Sequence, residues 1–348
     1  MSVATIEFAK TTVVSRFGDP RRNFALADFP VEIRTCPLSG QKTRLTPQRI
    51  KGKNLREDAW PDVAGAVAAS REDCPFCPAT LAARACKLDA GRFGCERVVR
   101  GDAFLFPNLA PYGPYSAVTV IGAEHYVETG QYDPARYLDA FLASREYLGK
   151  VRAIDPSVAY AAITQNHLPA SGGTLVHPHL QVQADAVGPT YCVNLRQWQR
   201  DAGARYGRPF WPLLADVESA RGERFIGATG RWRWLTMWAP QGQLEVWGVA
   251  DEPATIAAFA DDVAREMVDG LLRVQRWHRR RNRNSFNLAV YFFEPEETAL
   301  RLTCRIFARN NWAPFARNDR SFYETTLGEM VFDQSPERWA AEARPEFR

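Results

Sequence analysis

Residues 164–183 read TQNHLPASGGTLVHPHLQVQ, and the rest of the chain is best interpreted outward from this stretch. From His179 onward polar and apolar residues alternate, which is typical of a strand with one buried face. His179, Gln181 and Gln183 therefore share the polar face. The Ser-Gly-Gly-Thr turn at 171–174 can expose successive backbone N–H groups, an arrangement that suits a phosphate.

An imidazole beside an amide side chain and an anion-binding turn has the parts needed for attack on phosphorus. The imidazole would be the nucleophile, the N–H groups would stabilise charge on the phosphoryl oxygens, and Gln181 would donate to a further oxygen. The alternative is a core strand that ends in a polar turn, with histidines that only satisfy backbone carbonyls. Two histidines flanking Pro178, with Gln181 in phase, favour the functional interpretation.

Composition restricts the class of protein. With 348 residues and 46% hydrophobic content the chain can bury a large core, in two domains or one large one. The net charge of +4 fits anionic small substrates but is too weak to indicate nucleic-acid binding. There is no apolar run of membrane-spanning length and no signal-peptide pattern in residues 1–19. We therefore expect a cytoplasmic protein without a membrane partner.

The cysteines indicate a metal site. Seven cysteines, an odd number spread over a long chain without an export signal, argue against a disulfide framework. Cys74-Pro-Phe-Cys77 is a knuckle whose two thiolates can share one zinc ion, but a tetrahedral site needs two more ligands. A redox motif is the alternative, although no thioredoxin-like pattern surrounds it. No second Cys-x-x-Cys exists, so the remaining ligands would be histidines.

The element pattern predicts an α+β protein with a strand–helix–strand order in each half. In the first half we expect a helix over 133–153 and strands at 103–107, 116–121, 158–164 and 179–185. In the second half we expect a helix over 255–281 and strands at 224–228, 232–239, 244–250, 286–293 and 300–308. Residues 1–29 read as a polar arm with little periodicity, followed by two short strands around a turn at 37–40.

The central motifs resemble the histidine-triad superfamily, and within it the galactose-1-phosphate uridylyltransferase branch. That family carries Asn, then Gly-x-Ser, then His-Pro-His-x-Gln. The same spacing is found here, with Thr for Ser, in Asn166, Gly172, Thr174, His177, Pro178, His179 and Gln181. The resemblance covers most of the chain in order and is specific from Cys74 to Gln183. It implies two histidine-triad-like halves, each an antiparallel sheet packed with helices, over residues 1–212 and 213–348.

The resemblance also implies roles for individual residues. His179 would be the nucleophile that forms a covalent nucleotidyl-histidine, and Gln181 would hold the phosphoryl group. One structural zinc ion would bind the four family ligands, which are Cys74, Cys77, His125 and His177. Substrate or phosphate contacts would come from Arg49, Asn108, Asn166, Gly172, Gly173, Thr174 and Glu329. A small-molecule nucleotide substrate and a homodimer follow from the same resemblance.

Three departures from the family narrow these expectations. Leu109 stands where the family has an Asp that contacts uridine. The family's second metal site needs histidines in a late strand, and residues 302–307 contain none, so we expect no second site. Glu329 and Met330 match the family's hexose loop, but its Lys, Phe and Tyr are replaced. The acceptor is therefore not expected to be galactose 1-phosphate.

Several functions remain compatible with the sequence. A two-step nucleotidyltransferase acting on a nucleotide sugar or related compound is the leading hypothesis. A nucleotide hydrolase or phosphorylase would keep the nucleophile and change the acceptor to water or inorganic phosphate. Two further hypotheses do not involve nucleotidyl transfer. The protein would be a zinc-stabilised binding protein, or the same scaffold would have been recruited to different chemistry in a specialised pathway. Whether product forms without a second organic substrate distinguishes the first two.

Overall fold

The structure, a computed structural model, describes residues 5–47, 60–312 and 318–348. The strands are β1 Lys10–Asp19, β2 Ala25–Thr35, β3 Lys42–Leu45, β4 Val98–Arg100, β5 Ala103–Pro107, β6 Tyr115–Val120, β7 Tyr160–His167, β8 His179–Asp185, β9 Phe225–Thr229, β10 Trp232–Leu235, β11 Gln243–Pro253, β12 Phe286–Phe293, β13 Arg301–Ala308 and β14 Met330–Phe332. The helices are α1 Ala64–Arg71, α2 Pro78–Arg84, α3 Ala90–Phe93, α4 Pro134–Ile154, α5 Thr190–Tyr206, α6 Phe210–Arg221, α7 Asp261–Arg280, α8 Phe322–Thr326 and α9 Pro336–Ala343.

The predicted α+β class is confirmed, but the two halves share one sheet instead of forming two. Its strand order is β4-β5-β6-β8-β7-β12-β13-β11-β10-β9, and the neighbouring pairs are antiparallel. The halves meet where β7 pairs with β12, with Asn166 opposite Asn287. This junction places residues from the second half directly beside the central motifs of the first.

The long helices cover one face of this sheet. The alternate β8 residues Leu180 and Val182 lie in one apolar core with Phe141 of α4 and Leu271 of α7. Helix α4 begins as the sequence predicts, because Asp133 accepts a hydrogen bond from the Arg136 amide at the N-cap. The opposite face of β8 is therefore the one that carries His179 and Gln181.

The prediction of a polar arm for residues 1–29 is wrong. Strands β1 and β2 form a long antiparallel hairpin, with register from Lys10–Arg34 to Asp19–Ala25. Its turn uses Pro20 in a short 3-10 segment and Asn23 in the left-handed region. The neighbouring apolar residues Val13 and Val14 break the period-two pattern that would have revealed the strand. A smaller sheet of order β1-β2-β3-β14 results, in which β3 and β14 are parallel.

Two further observations concern the chain as a whole. The predicted boundary between residues 212 and 213 falls inside α6, and the division into two domains stays a prediction. In the described ranges no helix combines the length and apolar character needed to cross a membrane.

Candidate active site and metal site

Four predicted ligands converge where the Cys-x-x-Cys knuckle meets the start of β8. Cys77 Sγ lies 3.4 Å from His125 Nδ1 and 3.7 Å from His177 Nδ1, and Cys74 Sγ lies 3.8 Å from His177 Nδ1. All four ligand atoms lie within 4.8 Å of one another. In a tetrahedral site with bonds of about 2.1 Å to nitrogen and about 2.3 Å to sulfur, such edges measure about 3.6 Å. The cluster can therefore hold one metal ion.

Neighbouring groups fix both histidines in the tautomer that a metal requires. His177 Nε2 donates to the Gly122 carbonyl at 2.9 Å. The Ser70 hydroxyl donates to the Val67 carbonyl and accepts from His125 Nε2 at 2.9 Å. Both Nδ1 atoms are thus left without hydrogen and face the thiols. Burial lowers the pKa of His177 to about 4 and also lowers that of His125, so both rings are neutral near pH 7.

His179 is held as a neutral imidazole with its Nε2 atom available. Its Nδ1 donates to the His177 carbonyl at 2.8 Å, so the lone pair resides on Nε2. Nε2 makes no hydrogen bond within the described residues. Burial lowers the pKa of His179, which keeps the ring unprotonated. The Phe76 ring packs edge-on against it at a centroid distance of 5.3 Å. This is the state that a nucleophilic imidazole needs.

The 171–174 turn has the form expected of an anion-binding loop. Gly172 has φ 92°, and the Gly173 and Thr174 amides donate no hydrogen bond to any group in the described part of the chain. Leu168, which begins the turn, is buried at φ 68° and ψ 162°, a region almost restricted to glycine. Surrounding contacts must impose this strained backbone conformation on Leu168. The strained residue shortly precedes the Gly173 and Thr174 amides, which have no acceptor within the described residues.

Asn166 is tied to the second half of the chain, which sequence reasoning did not predict. Asn287 Nδ2 donates to Asn166 Oδ1 at 2.6 Å and to the Ser171 carbonyl at 3.0 Å. Arg309 donates to Asn287 Oδ1 at 2.7 Å and forms an ion pair with Asp319. The β7–β8 register extends to place Asn166 level with His179. Asn287 and Arg309 therefore hold the turn beside the candidate nucleophile.

The remaining residues predicted to contact substrate are spread over two sheets. Gln181 is half-buried on the His179 face of β8, opposite Thr164 of β7. Asn108 directly follows β5, and its side chain accepts a hydrogen bond from the Ala110 amide at 3.2 Å. Glu329 forms an ion pair of 2.7 Å with Arg44 of β3 in the smaller sheet. Arg49 lies outside the described residues.

Comparisons with known proteins agree with this architecture. No family model matches the sequence. An uncharacterised protein from Archaeoglobus fulgidus is 30% identical over 314 residues, which cover 90% of this chain and 92% of that protein.

Solved structures share the fold at low sequence identity. An ADP-glucose phosphorylase from Arabidopsis thaliana, with bound ADP-glucose, has a TM-score of 0.68 at 15% identity. A GalT-like protein from Arabidopsis thaliana has a TM-score of 0.67 at 16% identity, and a uridylyltransferase has 0.63 at 17%. Each comparison covers 90% of this chain and 98% of the other. The chain thus belongs to the same family as the Archaeoglobus fulgidus protein, and it has the fold of the galactose-1-phosphate uridylyltransferase-like proteins of the histidine-triad superfamily.

Proposed function

We propose that the protein transfers a nucleotidyl group from a nucleoside diphosphate compound, such as a nucleotide sugar, through a covalent bond to His179 Nε2. The observation that carries this proposal is the hydrogen bond from His179 Nδ1 to the His177 carbonyl. It leaves a neutral, oriented Nε2 lone pair on the sheet face that also presents Gln181 and adjoins the 171–174 turn.

In the first step Nε2 attacks the α-phosphorus, and the bond from that phosphorus to the bridging oxygen breaks. The leaving phosphate compound takes the electron pair. The ring now carries a positive charge, and its Nδ1–H still donates to the His177 carbonyl, which stabilises that charge. In the second step an acceptor oxygen attacks the same phosphorus and restores neutral His179.

The turn and the strand supply groups that stabilise negative charge on the phosphoryl oxygens. The Gly173 and Thr174 amides are available as donors, and Gln181 can donate from the same face of β8 as His179. Asn287 and Arg309 keep the turn and Asn166 in place without touching the reacting atoms.

We assign zinc to the Cys74, Cys77, His125 and His177 cluster because two thiolates and two neutral imidazoles form a zinc-preferring set. Four protein ligands leave no open position for substrate, so the role is structural. The ion would fix the knuckle against the strand that begins at His179. No step of the reaction passes through it.

The acceptor distinguishes the two activities that this site can support. Among proteins of the same fold, one is an ADP-glucose phosphorylase and another a uridylyltransferase. Inorganic phosphate as the acceptor brings no hexose of its own, although a nucleotide-sugar donor still does. The Lys, Phe and Tyr with which the family binds the hexose are replaced here. Glu329 is already paired with Arg44. These features favour phosphate, or a phosphorylated compound other than galactose 1-phosphate, as the acceptor, in a protein that we expect to be a homodimer.

Intact-protein mass spectrometry tests the covalent step directly. Zinc-loaded protein is incubated with UDP-glucose, UDP-galactose or ADP-glucose, each without acceptor. We expect a mass increase of one nucleoside monophosphate that is absent in His179→Ala and is discharged by inorganic phosphate or a sugar phosphate. His278→Gln is the control, since His278 is buried elsewhere and hydrogen-bonded to the Leu244 carbonyl. Turnover by His179→Ala at the wild-type rate would overturn the mechanism.

A further inference from the structure

The core face of β7 changes from apolar to polar as the strand approaches the 171–174 turn. Ala161 and Ile163 are followed on this face by Gln165 and His167, and all four are at most 4% exposed. Asn166, between the last two, lies on the opposite face with the candidate nucleophile. Polar side chains are stable in an apolar core only when they are hydrogen-bonded, so Gln165 and His167 need partners there.

A chain of four hydrogen bonds crosses this core and ends at His167. Gln275 Nε2 of α7 donates to the Tyr137 hydroxyl at 3.2 Å, and that hydroxyl donates to Gln165 Oε1 at 2.5 Å. Gln165 Nε2 donates to the Tyr132 hydroxyl at 2.9 Å, and this hydroxyl lies 2.8 Å from His167 Nδ1. The five side chains are at most 5% exposed, so these bonds are shielded from bulk water.

The chain runs in one direction, which determines the tautomer of His167. Each tyrosine has a single hydroxyl hydrogen to donate. Because the Tyr132 hydroxyl accepts from Gln165 Nε2, its own hydrogen is available for His167 Nδ1. The hydrogen of the His167 ring is therefore on Nε2. Burial lowers the pKa of this ring to about 3, so it is neutral near pH 7.

His167 is held on two further sides by the second half of the chain. Its ring stacks on Phe286 of β12 at a centroid distance of 4.7 Å. Its carbonyl accepts a 2.8 Å hydrogen bond from the Ser285 hydroxyl. The ring nitrogen, the ring face and the main chain of one residue are thus all fixed at the point where β7 ends and the turn begins.

The loop that carries Tyr132 is itself fixed to the second half. The Thr129 hydroxyl donates to the Asn284 carbonyl at 2.9 Å. Gly130 has φ 78°, and a Cβ there would lie 2.9 Å from the Arg276 amide nitrogen of α7. Tyr132 is therefore carried by a loop that packs closely on α7.

We propose that Tyr132, Gln165 and His167 are positioning residues, which hold the turn after β7 so that its amides at 173 and 174 point at the phosphoryl group. This inference rests on the proposed function of that turn. Leu168, with its strained φ of 68°, follows His167 directly, and such a conformation persists only where neighbouring contacts impose it. The hydrogen-bond chain supplies those contacts at the preceding residue. A fully bonded buried network of this kind restricts a core to one arrangement.

Two tyrosine variants of the full-length protein test the chain. Tyr132→Phe removes one hydroxyl and interrupts the chain before His167. Tyr147→Phe makes the same change in α4, where Tyr147 is also buried and its hydroxyl makes no hydrogen bond to the described part of the chain.

The rate of nucleotidyl-enzyme formation is the first measurement. With UDP-glucose, UDP-galactose or ADP-glucose, the mass increase should appear roughly ten-fold more slowly in Tyr132→Phe and at the wild-type rate in Tyr147→Phe. In turnover we expect a lower kcat with little change in KM, which a loss of stability alone would not give. Reaction of Tyr132→Phe at the wild-type rate would overturn the proposal.

A double-variant cycle tests whether the bond between Tyr132 and His167 is the cause. His167→Leu removes the acceptor and the stacking ring, whereas His167→Asn keeps an acceptor near the position of Nδ1 and should be slowed less. Adding Tyr132→Phe to His167→Leu should cause little further loss of rate, because the bond is already absent. Losses that multiply in the double variant would show two independent defects and would overturn the chain.

Hydrogen exchange followed by mass spectrometry tests the turn without any substrate. The Ser171 amide donates to the Leu168 carbonyl at 3.1 Å within the turn. Exchange of this amide should be faster in Tyr132→Phe than in the wild type and unchanged in Tyr147→Phe. Faster exchange in Tyr132→Phe, with no labelling of the wild type by any of the three nucleotide sugars, would support the positioning role and contradict the proposed function. Equal exchange in the two variants would overturn the positioning role.

Discussion

The carbonyl oxygen of His177 accepts a 2.8 Å hydrogen bond from Nδ1 of His179. One residue thus serves two sites, because its ring belongs to the metal cluster and its main chain orients the proposed nucleophile. Pro178 joins the two and restricts the backbone between them. In the proposed mechanism, a metal ion bound by the cluster would orient the Nε2 lone pair over a distance of two residues and would take no part in the chemistry.

Loss of one thiolate should reduce metal content and stability together. We expect Cys74→Ser to bind less than one zinc ion per chain and to unfold at a lower temperature, because metal binding contributes to folding free energy. Metal analysis and thermal unfolding measure the two effects. Cys86→Ser is the control, since Cys86 is half-buried and outside the cluster. Equal zinc content in the two variants would exclude Cys74 as a ligand.

The hydrogen bond from Asn287 to Asn166 predicts a kinetic effect from the second half of the chain. Asn287→Ala removes donors to Asn166 Oδ1 and the Ser171 carbonyl. Leaving such groups unpaired costs about 1–3 kcal/mol, so kcat/KM should fall roughly ten- to hundred-fold. We expect the loss mainly in kcat, because the turn would be misplaced in the transition state. Asn194→Ala on the exposed surface of α5 is the control. An unchanged kcat would contradict a positioning role.

Gly173 should be intolerant of even one added carbon. A Cβ there would lie 3.2 Å from the carbonyl oxygens of Asn166 and Leu168, which belong to backbone and cannot rotate away. Gly173→Ala should shift the Thr174 amide and slow nucleotidyl-enzyme formation, measured as the rate of the mass increase. Gly65→Ala in α1 meets no atom within 4 Å and should leave that rate unchanged. If both variants react at the wild-type rate, the turn is not the phosphate site.

The sequence predicted those features of the site that depend on residues close together in the chain or on a recognised motif. The alternation of apolar and polar residues from His179 to Asp185 predicted a strand that the structure contains, and the four metal ligands predicted from the resemblance lie in one cluster. Asn287 could not be found in this way, because it reaches Asn166 across 121 residues through the pairing of β7 with β12. Register between distant strands depends on tertiary packing, which periodicity within a single strand does not encode.

The stability of the protein should decrease at acid pH because of an ion-pair network around Glu337. Glu337 accepts hydrogen bonds of 2.7 Å from both Arg34 and the fully buried Arg224. Burial raises the pKa of Glu337, but these two guanidinium groups outweigh that effect and bring the pKa to about 2, from an ordinary 4.5. A carboxyl with a depressed pKa stabilises the fold above its unfolded pKa, and this contribution is lost as the pH falls from about 5 towards 2.

The shift from 4.5 to about 2 corresponds to about 3 kcal/mol at neutral pH. We expect Glu337→Gln to lower the free energy of unfolding by up to this amount at pH 7, measured with urea. The effect should shrink as the pH falls below about 5, because the carboxyl of the unfolded wild-type chain then takes up its proton. Glu96→Gln is the control, because Glu96 and its partner Lys87 are both mostly exposed and such pairs contribute little to stability. A difference between wild type and Glu337→Gln that stays constant from pH 7 to pH 3 would show that packing, not charge, gives Glu337 its role, since only the charged form gains from Arg34 and Arg224.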